Sequence, residues 1–289
     1  MEHAPSTPSA RAGSPVDNRV ASADVRATAT QGSTASPRVA LVTGAGKRLG
    51  RAIALALAQD GWDIGVHCRD SVAEAKQTVT DIQALGRRAV VLQADLDDAA
   101  QCQMLVPRLA DALGPVSGLV NSASRFEHDD IRSFTPESLQ QHLVPKLLAQ
   151  SLASQLPAAP VQGVIVNLLD QKLFNLNPDF LSYTLSKAAL SAATTMLAQA
   201  LAPRMRVVGV APGLTLPSYL QDETAFAHAH RTLSPLGASS TAQDVADTVV
   251  FAMKTRSITG TTLLIDGGQH LLGLPRDASL MDGTPPTGR

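Results

Sequence analysis

Thr43-Gly44-Ala45-Gly46-Lys47-Arg48-Leu49-Gly50 decides the reading of this chain. It follows the apolar run Val39–Val42 directly and leads into a helical stretch, so its glycines fall where the backbone must turn sharply at a helix N-terminus. Unpaired N–H groups gather at such an end and favour a phosphate group. Outward from this turn, short β-rich runs alternate with longer helical ones. The expected strands are Arg38–Thr43, Asp63–His67, Ala89–Gln93, Val116–Asn121, Gly163–Leu168, Met205–Val210 and Thr262–Ile265. Most are continuously apolar, as strands buried on both faces should be. The expected helices are Arg51–Gln59, Val72–Leu85, Ala99–Leu113, Pro136–Leu156, Leu181–Leu201 and Ala242–Met253, with Pro145 kinking the fourth. This alternation predicts an α/β fold: a single Rossmann-type, doubly wound domain with a parallel sheet of about seven strands, helices on both faces, and its ligand at the carboxyl ends of the strands.

The chain has 289 residues, a formal net charge of −1 and 17% charged residues, which speaks against a basic nucleic-acid surface. Cys68 and Cys102 are too few for a stapled secreted scaffold or a thiolate metal cage. No apolar run approaches the ~20 residues a bilayer span requires. These features predict a cytoplasmic protein with no nucleic-acid, membrane or metal partner; His67, His128 and His142 lack ligand spacing. Residues 1–36 contain no Leu, Ile, Phe, Trp or Tyr and read as a disordered extension rather than a targeting segment. Residues 37–274 read as the folded domain, and 275–289, rich in Pro, Gly and Asp, as a flexible tail.

The second strand ends His67-Cys68-Arg69, with Arg69 where a ribose 2′-phosphate would lie and no acidic residue at its tip for a free 2′-hydroxyl. Arg48 adds a second guanidinium nearby, and two guanidiniums suit a phosphate dianion. The expected cofactor is therefore NADP(H). Tyr183 and Lys187, four apart at the start of a helix, share one face. An ammonium there should bring the phenol's pKa down from near 10 towards the working range.

Thr43-Gly44-x-x-x-Arg48-x-Gly50, Ala94-Asp95-Leu96, Asn121-Ser122-Ala123-Ser124, Tyr183-x-x-x-Lys187, Pro212-Gly213 and Asp266-Gly267-Gly268 together resemble the short-chain dehydrogenase/reductase family over essentially the whole folded part. The resemblance implies that Gly44, Lys47, Arg48, Leu49, Gly50, Arg69, Asp95, Leu96, Asn121, Ala123, Ser124, Lys187, Pro212 and Gly213 contact the cofactor. It also implies that Tyr183 and Lys187 are catalytic, and that matching helices, here Pro136–Leu156 and Ser186–Leu201, pack across a two-fold axis in a homodimer or homotetramer.

Thirteen residues before Tyr183, where most of the family carry a serine, stands Asp170. A carboxylate repels a developing alkoxide but can accept N–H bonds or, protonated, give a proton to a ring nitrogen. With Lys47-Arg48-Leu49-Gly50 and the Ala123-Ser124-x-Phe126 run, Asp170 resembles the pteridine reductase and dihydromonapterin reductase branch. That likeness makes Phe126, Asp170 and Tyr183 the substrate residues, with Asp170 catalytic beside Tyr183 and Lys187 and Phe126 one wall of a flat slot. The alternatives are a carbonyl reductase of the 3-oxoacyl thioester type and a non-catalytic NADP-binding sensor or scaffold. Three positions depart from the pattern: Ser122 stands for a second Asn, Val208 for the Asn before Pro-Gly, and Lys146 lies near the place of the helix Asn that holds a relay water.

Overall fold

The structure, a computed structural model, describes residues 1, 38–135, 146–155 and 163–281. Seven parallel strands form one sheet: β1 (Arg38–Val42), β2 (Trp62–Cys68), β3 (Ala89–Gln93), β4 (Val116–Asn121), β5 (Gly163–Leu168), β6 (Met205–Pro212) and β7 (Thr262–Ile265), in the order β3-β2-β1-β4-β5-β6-β7. The expected doubly wound sheet is therefore present. The connecting helices are α1 (Arg48–Gln59), α2 (Val72–Ala84), α3 (Ala99–Leu113), α4 (Lys146–Gln155), α5 (Leu181–Leu201), α6 (Glu223–Thr232) and α7 (Ala242–Lys254).

Strand side chains alternate between two cores, as a period of two requires. Ala40 and Val42 of β1 join α1, α2 and α7 through Ile53, Ile82 and Val249. Val39 and Leu41 join α3, α4 and α5 through Leu105, Leu148 and Ala198. Strand order reverses between β1 and β4, which opens a crevice at their carboxyl ends. The glycine turn after β1 and the loop after β4 form its two sides.

The differences from expectation lie where local pattern is weak. Helix α6 was not expected: it is short, and Ala229 is its sole buried residue among those described. Its signal is the N-cap, where Asp222 accepts from Ala225 N at 2.7 Å. Helix α1 begins at Arg48, three residues early, with Arg48 at φ +53°. Of the expected helix 136–156 only α4 lies in the described residues; Pro145, like the extension 2–36, lies outside them. Residues 275–281, expected to be tail, instead pack against the domain: Leu274 and Ala278 are buried with Ala229 of α6 and with Leu233 just after it, and Arg276 pairs with Asp179 at 2.8 Å. Composition hid this because the anchors are ionic and distant in sequence.

Candidate active site

Gly44 takes φ +65°, and its N–H donates to His67 Nδ1 at 3.1 Å. Nε2 of His67 then donates to Ala94 O at 3.1 Å, so a single tautomer ties the ends of β1, β2 and β3 together. Burial pushes the His67 pKa down and keeps the ring neutral. Thr43 Oγ1 accepts from the N–H groups of Ser122 and Ala123, both at 2.9 Å, which joins the glycine turn to the loop after β4. A Cβ on Gly50 would come within 2.3 Å of Gly44 O, so the helix can approach the turn this closely only with glycine there. Lys47 caps α1 without any side-chain hydrogen bond, and the first turn has no acidic residue. Its leading N–H groups face a cleft of about 590 Å³ lined by Gly44, Lys47, Arg48, Leu49 and Gly50. This is an arrangement that fits a pyrophosphate.

Arg69, Ser71, Asp95 and Leu96 line one end of the same cleft. Arg69 Nε lies 2.7 Å from Asp70, and the side chain is half exposed. Arg48 does not join it. Its Nη2 donates instead to Pro217 O at 2.9 Å, in the segment after β6, so the two guanidiniums do not converge on one phosphate as expected. Asn121 also departs from expectation: it does not line the cleft but is buried beneath it, donating to Asn167 Oδ1 at 2.8 Å while Asn167 donates to Thr194 at 2.9 Å. The side chain turns inward at the end of β4, where strand alternation aims it at the core. Ala123, Ser124, Pro212 and Gly213 do line the cleft, Ser124 with its hydroxyl donating to Arg125 O.

At the other end, α5 presents Tyr183 and Lys187 together, and the turn after β5 presents Asp170. Tyr183 Oη donates to Asp170 Oδ2 at 2.6 Å, and Asp170 Oδ1 accepts from Lys172 N at 2.8 Å. Lys187 Nζ donates to Leu168 O at 2.6 Å and stands 5.5 Å from the centre of the Tyr183 ring. Burial, and then the Asp170 charge, push the Tyr183 pKa well above its ordinary value, the reverse of the expected lowering. The phenol's near partner is a carboxylate, and the ammonium is engaged elsewhere. Burial also raises the pKa of Asp170 and lowers that of Lys187 to about 8. Phe126 meets Tyr183 edge-on at 4.9 Å and stacks on Phe180 at 4.2 Å, giving the cleft a braced aromatic wall. Phe180 itself precedes α5 at φ +55°.

Sequence reasoning missed several groups here. The sequence suggests for His67 only a metal-ligand role, which its spacing speaks against, and no local pattern marks its bridging role. Lys172 and Asp277 bring a buried ion pair beside Asp170 and carry no signal at all, since 105 residues separate them. Lys146 is the first residue of α4. Among the described residues no cluster of His, Cys, Asp or Glu could hold a metal, and no helix is long and apolar enough to cross a membrane.

The short chain dehydrogenase model matches residues 38–227. The chain is similar to FolM alternative dihydrofolate reductase 1 from Brucella canis, crystallised with NADP, at 40% identity and a TM-score of 0.77, over 81% of this chain and 94% of that one. It is similar at 35% identity and a TM-score of 0.74 to a short chain dehydrogenase from Burkholderia cenocepacia J2315 in complex with NADP, over 80% and 97% of the two chains. It is also 30% identical over 252 residues to the 3-oxoacyl-[acyl-carrier-protein] reductase FabG of Staphylococcus aureus (strain Mu50 / ATCC 700699), covering 80% of this chain and 98% of that protein.

Proposed function

The chain belongs to the short chain dehydrogenase family, and we propose that it is an NADPH-dependent reductase of a pterin or a related fused nitrogen heterocycle. The observation that carries this reading is the 2.6 Å bond between Tyr183 Oη and Asp170 Oδ2, a carboxyl group at the point where a carbonyl-reducing site keeps a neutral hydroxyl. The uncapped N-terminus of α1 and its glycine turn would hold the cofactor's pyrophosphate, Arg69 and Ser71 its 2′-phosphate, and Asp95 and Leu96 its adenine. Ala123, Ser124, Pro212, Gly213 and Lys187 would line its nicotinamide end. When bound, NADPH supplies a hydride to an electron-poor carbon.

The chain's own residues then have to orient the ring and deliver a proton. Phe126, braced by Phe180, gives a flat aromatic substrate a fixed surface. Burial keeps Asp170 protonated to a higher pH than an ordinary aspartate, so the Asp170–Tyr183 pair can hold a proton against a ring nitrogen and release it as charge builds there. Ionised, the same carboxyl accepts N–H bonds from an aminopyrimidine edge. A ketone would instead set developing negative charge on oxygen against Asp170. The similarity to FolM alternative dihydrofolate reductase 1 supports this reading. The similarity to FabG, with Tyr183 and Lys187 both in the cleft, supports the second one, reduction of a 3-oxoacyl thioester. NADPH oxidation measured against dihydropterins, dihydrofolate and acetoacetyl thioesters separates them: turnover of the thioester with none of the heterocycles would refute the first.

A further inference from the structure

Two residues after Asp170, Lys172 turns its side chain into the protein, where only 3% of it is exposed. An ammonium so buried needs a partner. It finds Asp277, with Nζ 2.9 Å from Oδ2, and lies 5.1 Å from the centre of the Phe180 ring, whose face also favours a cation. The backbone N–H of the same lysine donates to Asp170 Oδ1, so the cation lies on a short 3₁₀ turn, Gln171–Phe174, that the carboxyl of the site caps.

Asp277 is held rather than draped. Its N–H donates to Asp179 Oδ2 at 2.8 Å, and its Oδ1 accepts from Ser279 N at 3.0 Å and from Ser279 Oγ at 2.7 Å. Arg276 Nε reaches both oxygens of Asp179, the residue just before Phe180 and α5. Asp277, Ala278 and Ser279 all line the cleft. The groups facing Asp170 are thus Tyr183 and Lys187 from α5, Lys172 from its own turn and Asp277 from the C-terminal segment, with Asp179 and Arg276 behind Asp277.

We propose that segment 276–279 is a fixed wall of the substrate end of the cleft, and that Asp277 is a positioning residue which, by pairing with Lys172, keeps Asp170 able to carry a proton. The inference rests on the proposed role of Asp170. The Asp277 charge opposes ionisation of Asp170 directly, and without Asp277 the buried Lys172 ammonium would stand unpaired on the turn whose backbone N–H holds Asp170, a net positive charge that favours the ionised carboxyl. The pair thereby suits the site to a substrate that takes a proton from a carboxyl group rather than one bound by a permanent carboxylate.

The test follows the Asp170 carboxyl by ¹³C NMR in the NADP⁺-loaded, aspartate-labelled protein, with its signal assigned by its loss in Asp170→Asn. Asp277→Asn should lower the Asp170 midpoint by about one pH unit, Asp277→Glu should restore it, and Lys172→Met should move it upward. In Asp277→Asn, the limb on which dihydropterin kcat/KM falls as pH rises should shift to lower pH with the midpoint. A midpoint unmoved in both Asp277→Asn and Lys172→Met overturns the inference even if melting temperatures drop, since a merely structural anchor would do just that. Absence of dihydropterin turnover in the parent protein counts against the proposed function alone, because the NMR midpoints decide the role of Asp277 without any substrate.

Discussion

Asp170→Asn removes the charge and the proton of this side chain while keeping its shape, and two effects compete in the outcome. Asp170 accepts from Tyr183 Oη through Oδ2 at 2.6 Å and from Lys172 N through Oδ1 at 2.8 Å, so the single amide oxygen of asparagine keeps one of these bonds and its NH2 faces the other partner. A hydrogen bond to a charged group is worth about 1.5–3 kcal/mol and a neutral one about 0.5–1.5, so weaker holding of the phenol costs about 1–1.5 kcal/mol, roughly five- to tenfold in rate. Loss of a positioned proton donor costs about 10²–10⁴-fold. The proton term dominates, and kcat on dihydropterin should fall by about 10²–10⁴, with NADPH affinity retained. Stability should move the other way. A carboxyl whose folded pKa lies above its unfolded one makes the protein lose stability as pH rises between the two values, and the penalty is complete above the folded pKa. The parent's stability relative to Asp170→Asn should therefore decline as pH rises across that window and level off above it. Stopped-flow NADPH oxidation and urea unfolding at several pH values measure both. If the variant keeps more than about a tenth of parental kcat, Asp170 is not a proton donor and the reasoning fails.

Tyr183→Phe should lower turnover by about 10²–10⁴ and leave NADPH binding nearly intact, as checked by steady-state rates and fluorescence titration. Lys187 has its pKa lowered by burial to about 8, so the folded state binds fewer protons than the unfolded one between there and the ordinary value of 10.5. The stability of the parent relative to Lys187→Met should then rise as pH increases from about 8 to 10, as read by denaturant unfolding. Arg69→Ala should cost about 1.5–3 kcal/mol of NADPH-over-NADH discrimination, whereas Arg48→Ala, whose guanidinium is bonded to Pro217 O, should cost far less; kcat/KM with each cofactor compares them. Sedimentation should show a homodimer or homotetramer joined in part through α5, which leaves Leu185 and Met196 exposed; a stable, active monomer at micromolar concentration would remove that expectation.

What could be read from the amino-acid sequence depends on short-range geometry. Apolar runs of five or six residues between longer helical stretches imply the parallel sheet, because strands buried on both faces must be apolar throughout. The glycine turn is legible because a sharp bend at a helix start leaves few residue types open, and Tyr183 and Lys187 are legible because four residues make about one helical turn. The aspartate thirteen positions before Tyr183 stands out only against the family's pattern, and the structure brings the two into contact. Tertiary structure alone decided the rest. The direction of the Tyr183 shift depends on which charge reaches the hydroxyl first once both are desolvated, and that is Asp170 rather than Lys187. Arg48 turning to Pro217, Asn121 turning to Asn167, and Asp277 returning over 105 residues to Lys172 are matters of which side chains the packed chain removes from water together. Desolvation and pairing at close range belong to the folded neighbourhood, and no local periodicity encodes them.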